Sequence, residues 1–421
     1  MDRPEAIRRE VERARDEIVD FAAEMIRVPS VNPPGEAYRE VAGVLGEKLL
    51  RFGYEVEYLA ADGRPEHTPD HPRVNVVGLR RGESTRPLVH LNGHLDVVPA
   101  GDGWSLDPFE GAVRQGRIYG RGATDMKAGI AAAVYAAECL KRAGVALAGS
   151  VEVSGTVDEE SGGFAGVAWL CERGRIGGAR TDYVIIPEPL GVDRICVGHR
   201  GVYWFEVVVH GRVAHGSMPF LGVSAIEHMG RVLDAVRREL MPALAGRTTG
   251  MPVVPDGARH ATLNVNSILG GQAGKTPQTP CVADRCSAVF DRRFLLEEGY
   301  ESAKGEIEAL LERHSKDFEG RVELHDLMVV HPVRTPPDSP LIAALEKTIF
   351  QVMGREAGII ASPGTYDHKH VARIGGVEHS VAYGPGILEL AHQVDEYCEI
   401  EDLVRSTEVL ALTLFELAGK R

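Results

Sequence analysis

No apolar run in the chain approaches the ~20 residues that a helix needs to cross a bilayer, and its opening stretch, MDRPEAIRREVERARDEIVDFAAEMI, is charged and amphipathic rather than leader-like. Neither a membrane partner nor a secretory route is expected, and the cytoplasm is the expected location. Cysteine is scarce: six residues are scattered through 421 without a C-x-x-C pair, which argues against a disulfide framework and for reduced, mostly buried thiols. Clustered Lys/Arg is also missing. With 61 acidic against 47 basic residues, the net charge of -14 leaves nothing to track a phosphate backbone, so no nucleic-acid partner is expected. No fixed-period repeat and no low-complexity segment occurs.

What remains is an ordinary globular composition, 44% hydrophobic and 26% charged. A chain of 421 residues exceeds the ~250 to 300 that one core usually serves, so more than one domain is expected. Ile7, Val11, Ala14, Ile18, Phe21, Ala22 and Ile26 recur at three- and four-residue steps, marking one amphipathic helix that Pro33, Pro34 and Gly35 bring to an end. A second helix is expected over 38–52 and further ones over 128–142 and 401–417, with strands over 54–59, 74–79, 88–91, 150–156 and 183–186. Short apolar strands alternating with helices predict an α/β fold with a mixed, mostly parallel sheet flanked by helices. Between 201 and 331 the order changes to strand 202–209, helix 225–240, strands 262–269 and 282–292, helix 301–314 and strand 322–330. That is the β-α-β-β-α-β order of a small ferredoxin-like α+β domain. The expectation is one α/β domain, 1–200 and 332–421, interrupted by an inserted domain, 201–331.

Chemistry-bearing residues follow the strands. His94 and Asp96 follow the strand in PLVHLNGHLDVVP, Asp158, Glu159 and Glu160 follow the next in VEVSGTVDEESGG, and Glu188 follows a third in YVIIPEP. Open α/β sheets bind ligands at the carboxyl ends of their strands. Asp125 in GRGATDMKAGIAA enters a helix, and His392 in AYGPGILELAHQVDE lies in a loop. His94, Asp125, Glu160, Glu188 and His392 together exceed what one tetrahedral zinc takes, and a His/carboxylate set suits two divalent ions such as Zn, Co or Mn. The glycines of GRG and SGG permit tight turns; no P-loop Lys-Ser/Thr follows them.

From RVPSVNPPGE through HLDVVP, GRGATDMK, DEESGG and PEP to AHQVDE, nearly the whole chain resembles the dinuclear metallo-aminoacylases and carboxypeptidases, the family of succinyl-diaminopimelate desuccinylase, acetylornithine deacetylase and glutamate carboxypeptidase. The resemblance implies a zinc-exopeptidase-like catalytic domain whose insert serves as lid and dimerisation domain, and therefore a homodimer. It implies that Asp125 bridges two ions, with His94 and Glu188 on one and Glu160 and His392 on the other. Glu159 then matches the general base, Asp96 the carboxylate that orients His94, and His215 in the insert the histidine that helps hold the tetrahedral intermediate. Arg293, Gly364, Thr365 and Lys369 match places where relatives grip the substrate. Two departures stand out: no asparagine occurs in GGQAGKTPQTP, where the lid is expected to carry one, and Lys369 replaces the arginine of desuccinylases.

The implied activity is hydrolysis of the amide C-N bond of a small N-acyl amino acid or dipeptide-like substrate by a metal-activated water. Deamination of a non-peptide amine is the alternative within enzymes. A catalytically silent binding protein is disfavoured, because all five ligands and Glu159 are present.

Overall fold

The computed structural model describes residues 2–271 and 280–420, which separate into two compact units. The first comprises 1–198, 335–360 and 366–421; the second comprises 199–334 and 361–365. Segment 361–365, with Gly364 and Thr365, thus groups with the insert. Residues 272–279, most of the segment GGQAGKTPQTP where a lid asparagine is expected, lie outside the described residues.

In the first unit the strands run in the order Glu55–Ala60, Val74–Arg80, Ser150–Thr156, Leu88–His94, Tyr183–Ile186, His379–Ala382, Arg194–His199. Its centre is parallel: Leu88–His94 pairs that way with both Ser150–Thr156 and Tyr183–Ile186, and the latter with His379–Ala382. The flanks are antiparallel. Central parallel strands are covered on both faces, which explains why Leu88–His94 and Ser150–Thr156 are buried at every position. The alanine-rich helix Lys127–Arg142 packs on Leu88–His94 and against the helix Ile400–Ala418. Its small side chains permit close approach: a Cβ on Gly129 would meet the Pro187 oxygen at 2.1 Å. That proximity sets the Asp125 loop beside Glu188.

The single amphipathic helix expected at the start is two, Arg3–Arg13 and Arg15–Ile26, because Ala14 leaves helical geometry (ψ 1°) and its N–H is shared between the oxygens of Glu10 and Val11. Ile7, Val11, Ile18, Phe21 and Ile26 nonetheless face one core, as their spacing requires.

The second unit holds a four-stranded antiparallel sheet ordered Thr262–Gly270, Arg285–Phe294, Gly201–His210, Arg321–Val330. In chain order that is 2-3-1-4, the arrangement of a ferredoxin-like sandwich. The helices Ala225–Ala235 and Tyr300–Ser315 pack together and against this sheet. Phe205 and Phe290 stack 4.9 Å apart in its core. The helix expected over 225–240 becomes a π turn at Val236–Leu240, just before Pro242, whose missing N–H cannot continue the α-helical ladder. Among the described residues no helix is long and apolar enough to cross a membrane, and five of the six cysteines are buried.

Candidate metal centre

Residues two apart in an extended strand face the same side. His90, Asn92 and His94 therefore form a row, and the parallel register sets Glu152, Ser154 and Thr156 directly opposite them. All six are buried, a polar seam inside an otherwise apolar sheet.

At its carboxyl end the seam reaches His94. Its Nδ1 lies 3.0 Å from the backbone oxygen of Asp96, which can only accept, so the proton is on Nδ1 and Nε2 is aimed outward. Nε2 stands 3.0 Å from Asp125 Oδ1. The Asp96 carboxylate is expected from the sequence to orient His94, yet its oxygen is the more distant at 3.7 Å. It is engaged instead by the backbone N–H groups of Glu159 and Glu160, at 3.1 Å each, and by Asn32 Nδ2 at 2.9 Å. Asp96 thus serves His94 through its backbone and the Glu159–Glu160 turn through its side chain.

That turn is held from below as well. Asp158 sits in the left-handed region (φ 63°), a conformation that costs a non-glycine residue energy unless its surroundings enforce it. Tyr38 donates to one of its oxygens at 2.8 Å and Arg73 to the other at 2.9 Å. Glu159 and Glu160 are thereby presented side by side. Glu159 accepts from Lys369 Nζ at 3.0 Å, and Glu160 contacts His392 Nε2 at 3.2 Å.

Asp125 joins the two histidines: while Oδ1 faces His94, Oδ2 lies 3.4 Å from His392 Nε2. Ligand atoms of His94, Asp125 and Glu160 all lie within 4.8 Å of one another. Glu188, buried at the end of Tyr183–Ile186 after Pro187, acts electrostatically on His94 and Asp125.

This clustering perturbs Glu160, Glu188, Asp125 and His392. Burial and the nearby Asp125 charge push Glu160 up to about 7 and Glu188 well above the carboxylate range. Asp125, although burial opposes it, is held below its usual value by His392 and His94. His392 is raised to about 10 by Asp125 and Glu160. Four carboxyl groups, counting Glu159, packed beside two imidazoles form an array that positive charge at its centre stabilises. The spacing suits cations: two ligands ~2.0 to 2.1 Å from a tetrahedral zinc lie about 3.3 Å apart, and the observed separations run from 3.0 to 3.4 Å.

The remaining predicted residues belong to the second unit. His215 is exposed, its Nδ1 2.7 Å from Ser217 Oγ. Arg293 forms a bidentate pair with Asp291, two positions back on the same strand face, at 2.7 and 2.9 Å. The Gly364 N–H donates to Ser362 Oγ at 3.2 Å, and Thr365 ends the same segment.

Sequence reasoning assigned no role to three further residues. Asn32 ties Asp96 to Ser161, donating to both at 2.9 Å. Glu396 accepts from the backbone N–H groups of Gly122, Thr124 and Asp125 at 2.8 to 3.1 Å and binds Arg121 at 2.6 Å, which braces the loop that carries Asp125. Asp367, fully buried, accepts from Asn92 at 3.0 Å. Asn32 and Glu396 lie within the SVNPP and HQVDE motifs; a polar residue beside each ligand segment was the available signal.

Residues 90–416 match the profile of peptidase family M20/M25/M40. The chain is 32% identical to a succinyl-diaminopimelate desuccinylase of Leptothrix cholodnii over 94% of its own length and 97% of that enzyme's. In fold it is similar to the dipeptidase Dug1p of Saccharomyces cerevisiae (TM-score 0.76, 16% identity, 98% of each chain) and to an M20 metallo-carboxypeptidase of Sulfolobus solfataricus (TM-score 0.74, 20% identity, 94% of this chain and 98% of the other).

Proposed function

The chain belongs to peptidase family M20/M25/M40 and is a dinuclear metallohydrolase of amide bonds; from that premise we propose that it cleaves a small N-acyl amino acid or dipeptide-like substrate. One observation carries the assignment of roles: the two oxygens of Asp125 are divided between His94 and His392. That division supports Asp125 as bridge, with His94 and Glu188 serving one ion and Glu160 and His392 the other.

Zinc suits this His/carboxylate set best, with cobalt or manganese as substitutes. Ions held there would supply Lewis-acid polarisation of the substrate carbonyl and would acidify a water. Glu159 is the proposed general base, positioned to accept a proton from the attacking water and to return it to the leaving nitrogen. Asp96 fixes the base by holding its backbone N–H, and His215 is the proposed donor to the developing oxyanion. Arg293, Gly364 and Thr365 are the proposed substrate contacts. A homodimer through the inserted unit and a cytoplasmic location complete the proposal.

A panel of N-acyl amino acids and dipeptides, with N-succinyl-diaminopimelate included because relatives carry that name, tests the reading on metal-loaded protein. Equal release of amine and carboxylic acid is the expected result. Ammonia released without an acid would replace the deacylase with a deaminase.

A further inference from the structure

Lys369 replaces an arginine expected to hold a substrate carboxylate, and the structure gives it a different neighbour. The residue is 5% exposed and its Nζ lies 3.0 Å from Glu159 Oε1. Adjacent His370, on the same short helix His368–Arg373, donates through Nε2 to the Gly162 oxygen at 2.7 Å. Consecutive residues of one helix therefore grip both ends of the turn that bears Glu159, one by its side chain and one by its backbone.

The helix is in turn registered to the strand that carries His94. Asp367 caps it, its backbone oxygen accepting from the N–H groups of His370 and Val371 at 3.0 and 3.2 Å. Its side chain accepts from Asn92 Nδ2 at 3.0 Å, two residues before His94. Asn92 is fixed by the buried seam: Ser154 donates to its Oδ1 at 2.7 Å, His90 contacts Ser154 at 2.7 Å and Glu152 at 2.8 Å, and Arg180 binds both oxygens of Glu152 at 3.0 Å. A continuous polar chain thus runs from the partly exposed Arg180 through buried Glu152, His90, Ser154 and Asn92 to the helix that braces Glu159. Nothing in apolar packing requires it: partly satisfied buried polar groups are costly, and fully satisfied ones specify one arrangement.

We propose that Lys369 and His370 act on the base-bearing turn rather than on the substrate, as positioning residues that fix the Glu159 carboxylate, with their helix set in register to His94 by the Asn92–Asp367 hydrogen bond. The inference rests on Glu159 being the general base. Burial opposes the charge on Lys369, while the Glu159 and Asp367 carboxylates favour it and keep its pKa above the ordinary lysine value. A lysine is a compact point charge suited to one carboxylate oxygen, whereas a substrate carboxylate is better matched by the planar fork of arginine.

The test uses the metal-loaded full chain with Lys369→Met and Lys369→Arg. Misplacing a catalytic group by about 1 Å costs roughly 10- to 100-fold, so Lys369→Met should lose that much in kcat with KM changed less than about twofold and metal content unaltered. Lys369→Arg should recover part of the loss. A raised KM with kcat preserved is the signature of a substrate grip and would overturn the proposal. Crystal structures supply a readout that needs no substrate: in Lys369→Met the Glu159 carboxylate should leave its wild-type position, and an unmoved carboxylate would also overturn it. Should wild-type enzyme cleave nothing in the panel, the parent reading falls while the structural comparison still decides this one.

Discussion

Glu159 and Glu160 are neighbours in sequence with different proposed roles, and their surroundings separate them: Lys369 faces the first, His392 and the Asp125 cluster the second. Replacing Glu159 by Gln removes the proton acceptor while preserving shape, so kcat should fall by about 10²- to 10⁴-fold with both metals retained, by assay and elemental analysis. Glu396 is predicted to act on metal affinity instead. Glu396→Ala frees three backbone N–H groups around Asp125, and metal affinity should drop about 10- to 100-fold in a competition titration with a chelator. Proton competition adds a pH dependence. Glu160 and Glu188, raised in the metal-free fold by burial and by Asp125, hold protons there at pH values where the unfolded chain has released them. The folded state binds more protons, so these groups cost stability progressively as pH rises from about 4.5 through 7. Metal binding displaces those protons, and the gain in Tm on adding zinc should therefore grow between pH 5 and 8. A gain independent of pH would contradict this. The proposed ligands carry a sequence signal because they sit in motifs, three of them at or just after strand ends, whereas Asn32, Asp367 and Glu396 act on partners 64, 275 and 271 residues away. Separations of that size leave no periodicity in a sequence.

Strands and helices were legible where burial is one-sided or complete. Ser150–Thr156 and Tyr183–Ile186 begin and end where apolar content alone places them, and Lys127–Arg142 differs by one residue from its expected start. Elements held by long-range pairing were not: Ala112–Arg114, Arg117–Tyr119 and Tyr397–Glu399 form a small sheet from three-residue strands without an apolar pattern. Arg285–Phe294 starts later than expected, since Val282 donates to Ala214 in a loop rather than to the ladder. Thr262–Gly270 ends its sheet and exposes Ile268 and Leu269, 54% and 72% accessible, which fits the proposed dimer, because an edge strand with apolar side chains pairs readily with another chain. Ile268→Lys with Leu269→Lys should convert a dimer to a monomer in light scattering while far-UV circular dichroism stays unchanged. A wild-type monomer, or a dimer indifferent to both charges, would remove this edge from the interface.

At the scale of the molecule, one α/β unit is assembled from three stretches of chain, 1–198, 335–360 and 366–421, and every proposed metal ligand lies within it. The change in element order after residue 200 falls beside the boundary between the two units at 198 and 199. The grouping of 361–365 with the insert was not legible in the sequence, because five residues following a strand carry no signal of the unit they join. The proposed ligands converge from separated stretches because the parallel centre of the sheet delivers His94, the 159–160 turn and Glu188 to one edge, where the 125 and 392 loops meet them. Whether Asp125 bridges two ions on that edge is decided by anomalous diffraction from zinc-loaded crystals. Two peaks per chain are expected to flank Asp125, one against His94 and Glu188 and the other against Glu160 and His392. A single peak, or two that leave Asp125 uncoordinated, would contradict the bridge.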